Sequence, residues 1–488
     1  MPPSSKKQYD VDVVWQRDHS EVKGYSSLAV DSHGNVYACG IAPDEEHGVV
    51  VKYGPDGDVK WTDTALPKPL DVQTYRSVAE NTDSPVPAAA LPQEDRYGAF
   101  LDIAVDADDD VIVAGSYCQT DPLRIYILVQ KYSPDGSVLW SKEYMRRALN
   151  HAMGVTVDAD GDIYLVGQGG IGATLLQPNK ITLKALAMKL DGSNGTVIWV
   201  RTRKKGRYMW YHDAAIAPDG TLMVSGYYLD GDGVHPVVST FRGRRGFWTS
   251  YLVPPNGNKR TAGIARHADG SFHVAGNTEA AQTSDISPYL MRFSSDLRIR
   301  WQMEDDANAF LYGTDVLPDG TIIATGMHLS KAEYYAALYD PSSGQKIQDI
   351  FLGPVHASGV NFNDYLKGVA VGPRGDVVLA GAWNPGKIIK IRLTPAVSED
   401  SHLLQVHIRP PQGGTVTPDG GSYPAGDTVS LQARPAQGYT FSRWSGDVAG
   451  SAATTRVTMD SDISVTAYFT ERETSWLARL LQWLLGRR

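Results

Sequence analysis

The chain is poor in cysteine. It holds two in 488 residues, Cys39 and Cys118, too few for a disulfide framework. They could meet only across neighbouring repeats, and two free thiols are the simpler expectation. No stretch reaches the ~18–20 apolar residues that a membrane-crossing helix needs. The opening Met1-Pro-Pro-Ser-Ser-Lys-Lys-Gln8 lacks the apolar core of a secretory signal. There is no His-Glu-x-x-His, no nucleophile elbow, and no histidine pair at metal-ligand spacing. Positive charge is scarce too. The net charge is −9, with −10 in the first 400 residues and +1 after them, which excludes general nucleic-acid binding. These absences leave no catalytic residue, metal or cofactor assigned.

Glycine is abundant, with 48 residues, and it is periodic. Small turn positions six residues apart recur as Gly34/Gly40, Asp109/Gly115, Gly161/Gly167, Gly220/Gly226, Gly270/Gly276, Gly320/Gly326 and Gly375/Gly381. A short apolar strand precedes each pair and a second strand lies between its members. Repeats of ~40–50 residues with several short strands each mark a β-propeller. The second half of a repeat is a hairpin with a Pro-Asp-Gly corner, ending on tryptophan: Gly54-Pro-Asp-Gly57 before Trp61, Ser133-Pro-Asp-Gly136 before Trp140. Trp199, Trp248 and Trp301 keep that place. Such tryptophans are expected to dock blade on blade through buried area and an indole hydrogen bond. The last repeat lacks its fourth strand, and Val11-Asp-Val-Val-Trp15 ahead of the first supplies one.

The fold class is therefore all-β: a seven-bladed β-propeller closed by the N-terminal strand, then a small β-rich module and a short C-terminal amphipathic helix. Residues 1–10 form a tail and 11–395 the propeller. A proline-rich surface loop is inserted at 64–96, the module spans 403–470, and the helix spans 474–488. On that helix Trp476, Leu480, Trp483 and Leu484 share one face. Three destinations stand open for that face: the chain's own domains, a partner or second copy, and a membrane interface.

Asp158-Ala-Asp-Gly-Asp-Ile-Tyr-Leu-Val-Gly167 and Lys131-Tyr-Ser-Pro-Asp-Gly-Ser-Val-Leu-Trp140 resemble the repeats of bacterial seven-bladed propellers of the SBBP class. They also resemble the tryptophan-docking repeat of PQQ-like and BamB-like propellers. Gly413-Gly-Thr-Val-Thr-Pro-Asp-Gly-Gly421, Phe441-Ser-Arg-Trp-Ser-Gly446 and Met459-Asp-Ser-Asp-Ile463 resemble the divergent InlB B-repeat, or bacterial repeat, module of surface and secreted proteins. That likeness implies an extracellular or cell-surface location. Tyr439, Phe441, Trp444 and Phe469 are expected in the module's core.

Two patterns have bland readings. Gly167-Gln-Gly-Gly-Ile-Gly172 matches a dinucleotide fingerprint, but the repeat register puts it in a loop after the second strand, with no crossover helix to follow. Asp106/Asp108/Asp110 and Asp158/Asp160/Asp162 resemble calcium loops, but fall where another repeat has Ala217-Pro-Asp-Gly220 and needs no ion.

The segments leading into the first strands are richer. One carries Arg201, Arg203, Lys204, Lys205 and Arg207, followed by Trp210, Tyr211, His212 and Asp213; others carry Asp102, His151 and Tyr312. Lys142, Arg146, Arg147, Lys259 and Arg260 come from neighbouring segments and complete a basic arc on an acidic domain. These residues are the expected ligand-binding set. The reading is a non-catalytic binding or scaffold protein of a bacterial exterior, using a propeller face for a glycan, polyanion or protein partner. One alternative is a polymer-degrading lyase or hydrolase with Asp102, His151, His212 and Asp213 as acid/base groups. Another is a structural subunit of an appendage or virion-like assembly, docked through the C-terminal helix.

Overall fold

The computed structural model describes residues 8–44, 47–64, 72–74, 96–120, 123–145, 149–171, 182–206, 208–231, 233–242, 247–252, 258–279, 286–354, 366–381, 386–395 and 401–471. The expected C-terminal helix, with Trp476, Leu480, Trp483 and Leu484, lies outside them, as do Arg146, Arg147 and Arg207. Among the described residues there is no α-helix, only a 3-10 turn at Pro411–Gly413. The chain divides into two compact units, Asp10–Thr394 and the residues from Pro395 onward.

The first unit repeats one antiparallel pattern of four strands. Sheet A contains Gly24–Val30, Val36–Ile41, Gly48–Tyr53 and Val59–Asp63. Sheets B, C, D, E and F follow, beginning with the strands Arg96–Val105, Leu149–Val157, Tyr208–Ile216, Asn258–Arg266 and Ala309–Val316. Sheet G has Leu366–Val371, Val377–Gly381 and Gly386–Pro395, and its outer edge is Tyr9–His19 from the start of the chain. Parallel bridges Leu149–Ile125 and Leu183–Tyr208 join sheets B, C and D. The first strand of each sheet packs against that of the next, and Leu366–Val371 packs against Gly24–Val30. Trp15, Tyr25 and Leu28 share a buried cluster with Val378, Ala380 and Ile388, which ties sheet G to sheet A.

The six-residue glycine spacing has two causes. The first position needs a left-handed turn, as at Gly34 with φ +84°. The second faces a bulge in the first strand. A Cβ on Gly40 would stand 2.0 Å from the Gly24 carbonyl oxygen, opposite the register shift between Tyr25 and Ser27. The hairpin glycines do a further job. Trp15, Trp61 and Trp301 donate their indole N–H to Pro55, Pro134 and Pro341 carbonyls at 2.9, 3.2 and 2.9 Å. Each ring lies on the hairpin glycine of the following sheet, where a Cβ on Gly57, Gly136 or Gly344 would come within 2.6–3.0 Å of it.

Two expectations change, and the Asp-rich turns gain a partner. Gly167 to Ile171 continue the strand Ile163–Ile171 instead of forming a loop, because each residue there pairs with Thr182–Leu190. The 64–96 insertion is not wholly loop: Val72–Thr74 runs parallel to the outer strand of sheet B, with Glu143 opposite Val72. The Asp triplets hold a lysine. The Lys131 ammonium lies 2.8 Å from Asp106 and 3.1 Å from Asp110, and Lys189 lies 3.1 Å from Asp158 and 2.8 Å from Asp162. Cys39 is a buried free thiol.

The second unit has a four-stranded sheet in the order Gly420–Pro424, Ser401–Arg409, Ile463–Glu471, Tyr439–Gly446, and a three-stranded sheet of Gly414–Thr417, Thr428–Pro435 and Thr454–Thr458. Leu431, Trp444, Met459, Val465 and Phe469 are buried in one core, with Tyr439 and Phe441 packed against it. The Trp444 indole donates to Ala452 O at 2.8 Å.

Candidate functional site: the central cavity and its aromatic mouth

The bulge in each first strand changes which residue faces inward. In sheets B and D the residue just past the bulge is Asp102 and Asp213. In sheet F that place is Gly313, and the carboxylate comes two residues later as Asp315. Each carboxylate reaches the next sheet. Asp102 Oδ2 accepts from Val155 N at 2.6 Å, Asp213 Oδ2 from Ile264 N at 2.9 Å, and Asp315 Oδ2 from Val371 N at 2.8 Å. The strands can approach because the intervening positions are small. A Cβ on Gly154 would lie 3.0 Å from His212 O, and one on Gly263 would lie 3.1 Å from Tyr312 O.

These carboxylates line a cavity of about 960 Å³ bounded by the first strands of every sheet from A to G. All three are partly buried. Burial pushes Asp102 and Asp315 up to about 6. It pushes Asp213 up to about 7, with a further upward contribution from the charges of Asp102 and Asp315.

One mouth of the cavity is aromatic. Tyr208 and Trp210 have ring centroids 5.7 Å apart, Trp210 and Tyr227 4.9 Å, and Tyr227 and His212 5.1 Å. Trp210 and Tyr227 are cross-strand partners, which fixes the ladder in register. The Arg260 guanidinium sits 4.9 Å from the Tyr227 centroid. Tyr227, His212, Arg260, Phe310 and Tyr312 all line the cavity. Burial, with Arg260 nearby, lowers His212 to about 4, so its ring is neutral at neutral pH, and its Nε2 has no hydrogen-bond partner.

The expected site residues divide. Asp102, His212, Asp213 and Tyr312 come together in the cavity lining, and Trp210 extends it outward. Tyr211 points away, buried, with its hydroxyl 3.3 Å from Ser239 Oγ, and Arg203 lies beside that hydroxyl. Arg201 donates to Val200 O at 2.8 Å and its guanidinium lies 5.9 Å from the Trp199 ring centroid. The Lys205 ammonium lies 4.6 Å from the Tyr228 ring centroid, Lys259 pairs with Glu304, and Lys204 is exposed. His151 is opposite Gln168 in sheet C, outside the cavity lining, and burial lowers its pKa. Tyr208, Tyr227 and Asp315 were not anticipated. Tyr227 follows directly on Gly226, and the recurring Asp inside an apolar first strand (Leu101-Asp-Ile103, Thr314-Asp-Val316) was the available signal for Asp315.

Asp31, His33 and Asp109 also gather at metal-ligand distances. Yet Asp31 already accepts from His33 N, Asn35 N, the Asn35 amide and the Tyr37 hydroxyl. Asp109 accepts from Ser32 N, the Ser32 hydroxyl and His33. The cluster fastens one turn to the next.

Residues 404–473 match the family model described as Divergent InlB B-repeat domain. Among curated proteins, the chain is 26% identical over 200 residues to the uncharacterized WD repeat-containing protein L264 of Acanthamoeba polyphaga mimivirus, covering 30% of this chain and 14% of that protein's length. Among solved structures, it is similar to virginiamycin B lyase from Staphylococcus aureus (11% identity, TM-score 0.48, 79% of this chain and 99% of that one). It is also similar to the WD40 β-propeller domain of Doa1 (11%, 0.48, 79% and 97%). A third is quinohemoprotein alcohol dehydrogenase from Comamonas testosteroni (10%, 0.41, 78% and 76%).

Proposed function

We propose that the first unit is a seven-bladed ring closed by its N-terminal strand, serving as a non-catalytic binding platform on a bacterial exterior. Its ligand is a carbohydrate chain stacked on the aromatic mouth. The observation that carries this reading is the ladder Tyr208–Trp210–Tyr227–His212, capped by Arg260, at the rim of a cavity of about 960 Å³. Tyr208, Trp210 and His212 are partly exposed around a buried Tyr227; such rings in register offer flat apolar faces to sugar rings, and a cation beside them suits an acidic sugar. A free polyanion is less well supported, because Arg201, Lys205 and Lys259 already have partners. An acid/base enzyme is less well supported too. Asp102 and Asp213 each have an oxygen committed to a backbone N–H, and His151 stands apart from them.

The test is titration of the full chain with neutral and uronate-bearing oligosaccharides. Binding of at least one class is expected, with Trp210→Ala weakening it about tenfold, or ~1.4 kcal/mol, and no shortening of the bound polymer. Equal binding by the variant, or chain cleavage, would overturn the reading.

A further inference from the structure

We propose that Asp102, Asp213 and Asp315 form a pH-responsive brace that sets how tightly the first strands close around the central cavity. The three lie on alternate sheets, B, D and F, and each accepts a backbone N–H from the sheet that follows, C, E or G. The Ser27 side chain of sheet A also hydrogen-bonds Asp102. The three bonds and the serine contact thus touch every sheet. Among the described residues no ion pair reaches any of the three carboxylates. The other charged and titratable groups that line the cavity are His212 and Tyr227 on sheet D, Arg260 and Arg266 on sheet E, Tyr312 on sheet F and Lys367 on sheet G, and the buried Cys39 of sheet A feels the charge of Asp102. Of these, Arg260 is turned onto Tyr227.

The chemistry follows from that layout. A neutral carboxyl still accepts the backbone N–H through one oxygen, so protonation keeps each brace. An ionised carboxylate also accepts it, but then three negative charges share one cavity and repel across it. Burial raises all three above the ordinary carboxylate value of 3.8. A group raised in the fold adds stability that is complete below its unfolded value and is lost as pH rises through its folded value. Here that loss begins near the unfolded value of 3.8 and is complete at about 6 for Asp102 and Asp315 and about 7 for Asp213. The ring is braced most tightly near pH 4 and is fully loosened by about neutrality. Buried histidines act oppositely. His212, His267 and His273 are held neutral, and their contribution is lost as pH falls. Only a difference between variant and parent isolates the brace.

The experiment compares thermal melts of the full chain and of Asp213→Asn and Asp315→Asn between pH 4 and 8.5. The asparagine cannot ionise, so the variants should gain on the parent as pH rises from 4 to about 7, by ~2 °C or more, and hold level above that. On the parent itself, carboxyl NMR should place three titration midpoints between about 6 and about 7. Exchange of the Val155, Ile264 and Val371 amides should speed up over the same range beyond its intrinsic pH dependence. Parallel melting profiles in parent and variants would overturn the brace. If the variants do not fold, the parent decides alone: carboxyl midpoints near 4, or exchange that follows only intrinsic chemistry, would overturn it.

Discussion

Trp15 donates its indole N–H to the Pro55 carbonyl at 2.9 Å, and its ring lies on Gly57. Trp15 stands on the outer strand of sheet G and Pro55 in the hairpin of sheet A, so this contact joins the last sheet to the first. Arg17 adds a bond to Gly57 O at 3.0 Å. Truncating Trp15 to Ala should cost about 3–5 kcal/mol, the range for a buried large aromatic. Trp15→Phe keeps most of the area and should cost only the hydrogen bond, about 1 kcal/mol. Gly57→Ala should also destabilise, since φ is +79° and the new methyl would stand 2.6 Å from the ring. Removing residues 1–18 bares the edge of sheet G and should cause aggregation. Denaturant melts and light scattering decide; a truncated chain that melts like the parent would refute closure by this strand.

Lys189 does the work that a calcium ion does in other Asp-rich turns. It bridges Asp158 and Asp162 and stacks 4.8 Å from the Tyr164 centroid. Lys189→Met should leave the carboxylates uncompensated and cost about 1–3 kcal/mol. Millimolar calcium should not change the parent's melting temperature. A calcium-dependent rise would show that an ion displaces the lysine.

The sequence carried the parts of this architecture that depend on local chemistry repeated many times. Gly34 and Gly40 stand out because a left-handed turn favours glycine at the first and a bulge opposite excludes a side chain at the second. Trp61 and Trp140 stand out because each follows its hairpin glycine by four residues. Contacts between sheets left weaker traces. Asp315 occurs once, two places away from its counterparts Asp102 and Asp213. The basic run at Arg201–Lys205 looks like a free arc when charges are counted, but Arg201 lies on Trp199. Lys259 in the next segment finds Glu304 a full 45 residues away. The candidate site was half legible for the same reason: Trp210, His212 and Tyr312 stood out by type, whereas Tyr208, Tyr227 and the pairing of the ladder did not.

A buried relay gives a second pH dependence. Thr314 donates its hydroxyl proton to Ile323 O at 2.9 Å, so it must accept from His273 Nε2 at 2.6 Å. His273 Nδ1 is then an acceptor, and His267 Nε2 donates to it at 3.0 Å. Burial holds both rings neutral, with His267 lowered to about 4. Groups lowered in the fold add stability that is present above their unfolded value near 6.5 and lost as pH falls through the folded one. The parent should therefore lose stability relative to His273→Gln as pH falls from 6 to 4. Thr314→Val should destabilise by about 1–3 kcal/mol by leaving a buried donor unpaired. Melts across that pH range check both.

The mouth of the cavity makes the last prediction, and it separates stacking from charge. Arg260 faces the ring of Tyr227 and lines the cavity, whereas Lys204 is exposed on the strand connection before Tyr208. Water and salt screen an exposed charge over ~8 Å at physiological ionic strength; a cation held against an aromatic wall is screened less. Arg260→Gln should therefore weaken binding of a uronate-bearing oligosaccharide about tenfold and leave a neutral one nearly unchanged. Trp210→Ala should weaken both, because stacking ignores charge. Lys204→Glu should change neither by more than about twofold at physiological salt. Calorimetric titration of the three variants against the two oligosaccharides gives the pattern. Equal losses for both sugars on removing Arg260 would mean that the arginine only supports Tyr227. A large effect of Lys204→Glu would move the site outward from the cavity rim to the exposed loop.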